Sequence, residues 1–426
     1  MGNGSYTPRV VDAELNELMR SVAALAIEGA KGVGKTATAA RRAAQTRELD
    51  DPVQRSIAAA DPARLLDGPS PVLIDEWQYV PESWDLVRRA VDAGAAPGSF
   101  LLTGSSRPAA RGSHSGAARI VSIRMRPLAL SERGLATPTV SLSALLRGGR
   151  GQLTGACTTV LADYVNEIVS SGFPGLRSLS GRALRAQLDG YLLRIVDRDF
   201  EELGHNIRDP AALRRWMAAY AAASSTAASF ETIRNAATAG HGEKPAKTTT
   251  LPYRDVLERL WILDPVEAWL PTRNRISRLS SPPKHQLADP ALAARLLGVD
   301  ADALLEGRDA GPPVPRDGTL LGALFESLVT LSVRTYAQTG EATVKHLRTA
   351  GGQREIDLIV ERADGRVVAL EVKLARDAKD HDTTHLRWLA DKVGDDLLDA
   401  VIVTTGTEAY RRKDGIAVVP AALLGP

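Results

Sequence analysis

A chain of 426 residues and 45.4 kDa exceeds what one hydrophobic core usually supports, so about two to four domains are expected. Hydrophobic content of 44% with 24% charged residues excludes a disordered, collagen-like or membrane-embedded chain. The 53 Lys and Arg against 51 Asp and Glu give a net charge of +2, which excludes coating of nucleic acid by bulk charge and makes any basic site local. In chain order, the N-terminus shows no basic patch ahead of an apolar stretch of signal length, and Val22 to Ile27 is too short for a bilayer, so a cytoplasmic protein is expected. Short apolar runs at Val22 to Ile27, Val72 to Ile74 and Phe100 to Leu102 alternate with helical stretches at Lys35 to Ala44 and Trp84 to Ala93, the rhythm of a parallel sheet with crossover helices. Around residues 135 to 160 the pattern breaks into Thr, Gly and Arg, and Leu146 to Thr154 reads as an exposed connection; the lone Cys157 reads as a small buried apolar residue. That single cysteine excludes an internal disulfide and a thiolate metal cluster, and it fits a reducing compartment.

From Tyr164 to about Leu260 the apolar residues recur at helical spacing, as in Leu184, Leu188, Tyr191, Leu192 and Ile195. The Pro/Gly-rich stretch Gly307 to Gly318 continues neither helix nor strand. After it come a helix from about Leu320 to Tyr336 and strand-like runs at Ile356 to Val360, Val367 to Leu374 and Ala400 to Thr404. The expected fold class is α/β. A parallel sheet with flanking helices is expected over residues 1–150, a mainly helical region over 160–300, and a second α/β domain over 318–426.

Gly29-Ala-Lys-Gly-Val-Gly-Lys-Thr36 fits G-x-x-x-x-G-K-[ST] between an apolar run and a helix-forming run. Gly29, Gly32 and Gly34 let backbone N–H groups turn inward around phosphate oxygens, Lys35 meets the β and γ phosphates of ATP, and Thr36 holds Mg²⁺. Pro71-Val-Leu-Ile-Asp-Glu76 is an apolar strand ending in two carboxylates; Asp75 is assigned to the Mg²⁺ shell and Glu76 to orienting the attacking water. Phe100-Leu-Leu runs into Thr103-Gly-Ser-Ser106, where Ser105 is either a sensor of the γ-phosphate or part of an ordinary turn. Arg119, Arg124 and Arg126 are candidates for an arginine acting across a subunit boundary of a homo-oligomer, the alternative for each being a solvated surface residue.

These residues resemble an AAA-type P-loop ATPase domain followed by a C-terminal domain of unknown function, an arrangement widespread in bacteria and archaea. The resemblance runs along nearly the whole chain: Tyr6-Thr-Pro-Arg9 with Asp12, Asp75-Glu-Trp-Gln-Tyr-Val-Pro81, Thr103-Gly-Ser105, Arg126-Pro-Leu128, Leu130-Ser-Glu132, Gly172-Phe-Pro174, Arg198-Asp199, Leu287-Ala-Asp-Pro290 and Gly322 to Glu326. It implies an ATPase more firmly than it implies a pathway.

At the C-terminus, Asp357 and Glu371-x-Lys373 resemble the restriction-endonuclease-like pattern D…E-x-K. A three-residue turn with Gly365 left-handed would pair Arg362 with Arg366 and set Asp357 opposite Glu371, whereas a two-residue turn would set Asp357 against Val372. Keeping Ile356, Leu358 and Val360 with the apolar face of Val368, Leu370, Val372 and Leu374 favours the first register and groups Asp357, Glu371 and Lys373 on the other face. Two such carboxylates suit a Mg²⁺ ion, with Lys373 polarising water or stabilising the charged phosphorane, and Glu326 joins by its place on the helix face of Gly322, Val329 and Val333. Alternatively, Glu371 and Lys373 with Glu355 are cross-strand ion pairs on a solvated sheet. Between the two sites, helical stretches over Ala211 to Gly240 and a third opening at Lys247 resemble a winged helix; Lys244, Lys247, Thr248, Thr249 and Arg254 would meet DNA, or the module serves only in packing. The expected function is an ATP-hydrolysing protein that couples nucleotide state to a DNA-binding, nuclease-like half. The alternative is an ATPase switch whose nuclease-like domain only binds DNA or a protein partner.

Overall fold

The structure, a computed structural model, describes residues 6–106, 118–238, 247–271, 281–306 and 318–426. Lys244 and the Pro/Gly stretch as far as residue 317 lie outside the described residues. Strands β1 (Ala24–Glu28), β2 (Gln45–Glu48), β3 (Val72–Asp75), β4 (Phe100–Gly104) and β5 (Ile120–Arg124) form one parallel sheet in the order β2-β3-β4-β1-β5. Leu25 and Ile27 of β1 enter one core and Ala24 and Ala26 another, because both faces of a parallel sheet are covered. β2 has no apolar run to announce it; it forms at the sheet edge by pairing Gln45 with Val72, and the helix expected to reach Ala44 ends at Ala40 to make room. The strand order brings the segment after β1, the end of β3 and the end of β4 to one edge of the sheet.

The second sheet draws on three parts of the chain. With β6 (Val140–Ser141) and β15 (Leu424–Gly425) paired beside it, the sheet comprises β7 (Gly155–Ala156), β8 (Ala268–Trp269), β9 (Thr343–Arg348), β10 (Glu355–Glu361), β11 (Val367–Val372), β12 (Leu397–Thr404), β13 (Glu408–Arg411) and β14 (Ala417–Pro420). Its order is β7-β13-β14-β12-β11-β10-β9-β8. The stretch 135–160 is an exposed connection only in part: Arg147 to Thr154 are mostly exposed and lie largely outside regular structure, as expected, whereas Val140, Leu142, Leu145 and Leu146 are buried and β7 extends the C-terminal sheet. Within it Cys157 is only half-buried, its amide bonded to the Thr407 carbonyl at 2.8 Å.

The β10–β11 hairpin has the three-residue turn: Arg362 N donates to Arg366 O at 2.9 Å, Gly365 has φ +85°, and Leu358 faces Leu370. The alternative of a solvated sheet face does not hold for β11. β11 is buried at every position, because β12 runs parallel beside it and helices cover both faces. Ile356 is also misassigned to the face of Leu358 and Val360. A register shift between Ile356 and Ile359 against β9 puts both isoleucines in the core under helix Thr384–Val393, while Leu358 and Val360 join the core of helix Gly318–Thr339.

Helix Gly318–Thr339 joins the parts. Leu324, Phe325, Leu328, Val333 and Tyr336 are fully buried, as in a helix apolar nearly all round. Its Ser332 Oγ accepts from Leu130 N at 3.1 Å, its Tyr336 hydroxyl from Ser131 N at 3.0 Å, and its Gln338 donates to Glu14 at 2.8 Å. Asp264 is clasped by Arg126 at 2.8 Å from the N-terminal domain and by Arg334 at 3.1 Å from this helix, which holds its carboxyl far below the usual range despite burial. The middle region contains helices Leu161–Val169, Gly181–Arg194 running through a π-helical turn Ile195–Asp199, Pro210–Ala222, Phe230–Ala236 and Lys247–Arg259. After the last of these, Leu263 bridges Leu287 and Val266 bridges Lys284, both antiparallel. No described helix is long and apolar enough to cross a membrane.

Candidate functional site

The loop after β1 requires glycine for two distinct reasons. Gly32 and Gly34 have φ of +83° and +98°, where a side chain would strain the backbone. A Cβ on Gly29 would lie 2.1 Å from the Met125 carbonyl oxygen, so the loop packs flush on the chain beyond β5. Lys35 folds back, its Nζ donating to the Gly29 and Ala30 carbonyls at 3.0 Å each. At 4% exposure its ammonium is pulled down to about 8 by burial, against the opposing pull of Glu76 and Asp75.

The acidic side is assembled by hydroxyls. Thr36 Oγ1 donates to Asp75 Oδ1 at 2.8 Å, and the Thr103 hydroxyl donates to the same oxygen. Thr103 Oγ1 also accepts the Glu76 amide at 3.1 Å, so one β4 hydroxyl orders both acids of β3. Burial pushes the Asp75 carboxyl up, and the two hydroxyls oppose that rise. Glu76 sits in the left-handed region at φ 53°, and its Oε2 accepts from Ser105 Oγ at 2.6 Å and from the Gln78 amide. Ser105 is thus buried against Glu76. The importance of Thr103 and Gln78 follows from adjacency of β3 and β4 in the sheet, which spacing along the chain does not show.

Behind and beside the loop stand residues of the N-terminal and middle regions. Arg9 is buried, donates to the Val33 carbonyl at 2.7 Å and pairs with Glu132 at 3.0 Å. A Cβ on Gly32 would meet Phe173 and one on Gly34 would meet Pro174, so Gly172-Phe-Pro174 lies against the loop. Asp289 holds that segment by accepting from Gly172 N at 2.6 Å and Ser171 Oγ at 3.1 Å. Lys31 pairs with Asp199 at 2.7 Å and Glu202 at 3.2 Å. The glycine loop, the lysine and the acid pair at one edge of a parallel sheet suit a nucleoside triphosphate. Residues 21–133 match the AAA domain family.

The N-terminal domain is thus similar to AAA-type P-loop domains. Beyond this AAA domain, residues 161–303 and 321–424 match two domains of unknown function, DUF8612 and DUF4143. Uncharacterized proteins of Mycobacterium bovis and Mycobacterium tuberculosis are each 26% identical to the chain, over 96% of it and 82% of their own length. The chain is also similar to two solved structures. The Walker-type ATPase of Pyrococcus abyssi is 17% identical with a TM-score of 0.37, covering 67% of this chain and 94% of that one. The ORC2 protein of Aeropyrum pernix is 13% identical with a TM-score of 0.30, covering 77% and 97%.

The three candidate arginines of the AAA domain have partners within the chain: Arg119 pairs with Asp92 at 2.8 Å on the surface, Arg124 lies 3.7 Å over the Trp261 ring, and Arg126 holds Asp264. At the C-terminal sheet, Asp357, Glu371, Lys373 and Glu326 come together, and Lys284, unmarked by any motif, stands among them. Lys284 Nζ lies 2.8 Å from Glu326, 3.1 Å from Asp357 and 3.5 Å from Glu355. Lys373 pairs with Glu371 at 2.8 Å, and Asp357 Oδ2 accepts from Val372 N at 2.9 Å. Burial pushes the Glu326 carboxyl up to about 8, with Asp357 adding to the rise, and Glu371 is pushed up to about 8 for the same two reasons. Asp357 is held low: burial opposes its charge, but Lys284 and the Val372 amide outweigh it. Among the described residues no group of three or more His, Cys, Asp or Glu stands ready to hold a metal ion. Earlier in the chain, Lys247, Thr248 and Thr249 are exposed at the start of their helix, and the Arg254 guanidinium lies 4.8 Å over the Phe230 ring.

Proposed function

We propose that the chain binds ATP with Mg²⁺ and hydrolyses it, and that the nucleotide state is passed to a DNA-binding, nuclease-like C-terminal half. The observation that carries the ATPase reading is the contact of Thr36 with Asp75, a hydroxyl and a carboxylate brought together from two elements where both fit one hard cation. Lys35 would bind the β and γ phosphates, with the amides of the loop after Gly29 around them. Mg²⁺ held at Thr36 and Asp75 would neutralise phosphate charge. Glu76 orients the attacking water, and Ser105 with Gln78 fixes the Glu76 carboxylate for that task. Arg119, exposed at the AAA domain surface, is the residue offered to a neighbouring copy in a homo-oligomer.

Glu76→Gln keeps the shape of the side chain and removes the charge that orients water. We expect ATP binding to be retained while turnover falls by about a hundredfold or more. Fluorescent-nucleotide titration and phosphate release measure the two separately, and wild-type turnover in this variant would sink the assignment.

The DNA-binding part rests on the three helices Pro210–Ala222, Phe230–Ala236 and Lys247–Arg259 followed by an antiparallel pair, the order of elements in a winged helix. Lys247, Thr248, Thr249 and Arg254 supply the polar contacts to DNA. The nuclease part rests on Asp357 and Glu371 as ligands of Mg²⁺ or Mn²⁺, with Glu326 on the facing helix and Lys373 acting on the water. Buried Glu371 fits such a cation, since its Oε2 has no hydrogen-bond partner. DNA cleavage supported by Mg²⁺ or Mn²⁺ is expected to disappear in Asp357→Ala and in Lys373→Ala while ATP turnover stays. Assays on supercoiled, linear, branched and single-stranded DNA, with and without ATP, check this. Cleavage surviving in both variants rejects the site. The second reading, a switch that binds DNA or a protein without cutting, is favoured by one observation: Asp357 and Glu326 already share Lys284, and Glu371 already pairs with Lys373.

A further inference from the structure

Four carboxylates, Glu326, Glu355, Asp357 and Glu371, gather around β10 and β11, three of them within 3.5 Å of Lys284 Nζ. The side chain of Lys284 is 1% exposed, yet Lys284 does not belong to the C-terminal domain's own run of sequence. Its backbone bridges Val266 through bonds of 2.8 and 2.9 Å, directly after the three-helix module. Its neighbours tie it to that module: the His285 carbonyl accepts from Ser225 N at 2.8 Å, His285 N donates to Thr226 O at 2.8 Å, and Gln286 donates to Ser225 Oγ at 3.0 Å. On the other side the Pro282 carbonyl contacts His346 Nε2 of β9 at 3.1 Å. The module thus carries a backbone whose ammonium is inserted into a site made by other elements.

An ammonium offers three donors and one positive charge; here Glu326 and Asp357 accept hydrogen bonds from it, and Glu355 adds a third negative charge at 3.5 Å. Without a cation the cluster would repel itself, and a buried charge left alone is costly. A divalent ion bound to Asp357 and Glu371 would meet the same requirement, so the two cations compete for the same negative charge. Glu371 Oε2, buried and without a hydrogen-bond partner, marks the side of the cluster that Lys284 does not satisfy.

We propose that Lys284 is an intrachain counter-ion that blocks divalent-metal binding at the Asp357–Glu371 cluster, so that the module carrying Lys284 controls whether the site can load. The proposal rests on the reading of that cluster as a metal site. It makes the middle region a gatekeeper of the C-terminal site.

Mn²⁺ binding to the nucleotide-free full-length chain tests it, followed by electron paramagnetic resonance in wild type, Lys284→Met and the double variant Lys284→Met with Asp357→Asn. If the ammonium occupies the cluster more than nine-tenths of the time, Lys284→Met binds Mn²⁺ at least about tenfold more tightly than wild type. The added Asp357→Asn change then abolishes that gain. A folded Lys284→Met protein with wild-type affinity, or a gain that survives Asp357→Asn, overturns the proposal. Wild-type protein supplies a measurement that needs no variant to fold: acylation of Lys284, followed by mass spectrometry, should rise as Mn²⁺ is titrated, and a flat level overturns the proposal. Tight Mn²⁺ binding by Lys284→Met without DNA cleavage supports the counter-ion and rejects the nuclease reading, so the two fail separately.

Discussion

Lys35→Ala is expected to lower ATP turnover by at least about a hundredfold, with a matching loss of nucleotide affinity, because a buried ammonium is the counter-charge for the β and γ phosphates. Within the chain this ammonium bonds the Gly29 and Ala30 carbonyls and is pulled down to about 8 by burial. Its folded value therefore lies below the ordinary lysine value of 10.5, and the folded chain sheds the proton before the unfolded chain does. Two consequences have definite signs. The contribution of Lys35 to stability rises with pH between about 8 and 10.5, where the unfolded chain binds more protons. ATP affinity is steady below pH 8 and falls by about tenfold per pH unit above it, since only the ammonium pairs with phosphate. Calorimetric titration of ATP across that range checks the slope, which should vanish in Lys35→Ala. An unchanged turnover or affinity in the variant would remove the basis for the phosphate assignment.

Asp264→Ala is expected to destabilise the chain by about 3–5 kcal/mol, the cost of leaving buried charge without its partner. The carboxylate is shared by Arg126 of the AAA domain and Arg334 of helix Gly318–Thr339, and the second arginine also donates to the Asp264 and Pro265 carbonyls at 2.8 and 2.9 Å. Removing the anion sets two guanidinium groups against each other at the place where three parts of the chain meet. The carboxyl is held far below its ordinary value, so its stabilising effect is full above the usual carboxylate range and is lost as pH falls through and below it. Urea unfolding of wild type and variant at neutral and acidic pH measures both effects: the difference should be large at neutral pH and shrink in acid. Equal midpoints at neutral pH would show that the arginines find other partners.

The P-loop was legible because its chemistry is local. Gly29 to Thr36 lie in one turn of chain, and glycine there answers to backbone geometry that the spacing already encodes. The strand carrying Asp75 and Glu76 was legible for a similar reason, since an apolar run ending in two carboxylates reads directly as a buried strand with a polar tip. The turn at Gly365 likewise set the β10–β11 register, because in a hairpin the turn and the alternation of side chains must agree. What the sequence determined, then, was whatever neighbours along the chain decide.

The tertiary structure decided the rest. β2 is Gln-Thr-Arg-Glu, without apolar pattern, and exists because β3 offers it an edge. Beside the exposed connection Arg147 to Thr154, Leu142, Leu145 and Leu146 pack into the core of helix Gly318–Thr339 and β7 completes the C-terminal sheet, contacts that no local pattern announces. Both faces of β11 are covered, because helices from opposite directions pack on it; alternation along one strand says nothing of what lies above and below. Lys284 stands 42 residues from Glu326 and 73 from Asp357 in the chain, and nothing in Pro-Pro-Lys-His announces a partner for either. Its role follows from Coulomb's law acting between groups that only the fold brings within reach, and long-range contacts of that kind leave no period in a sequence.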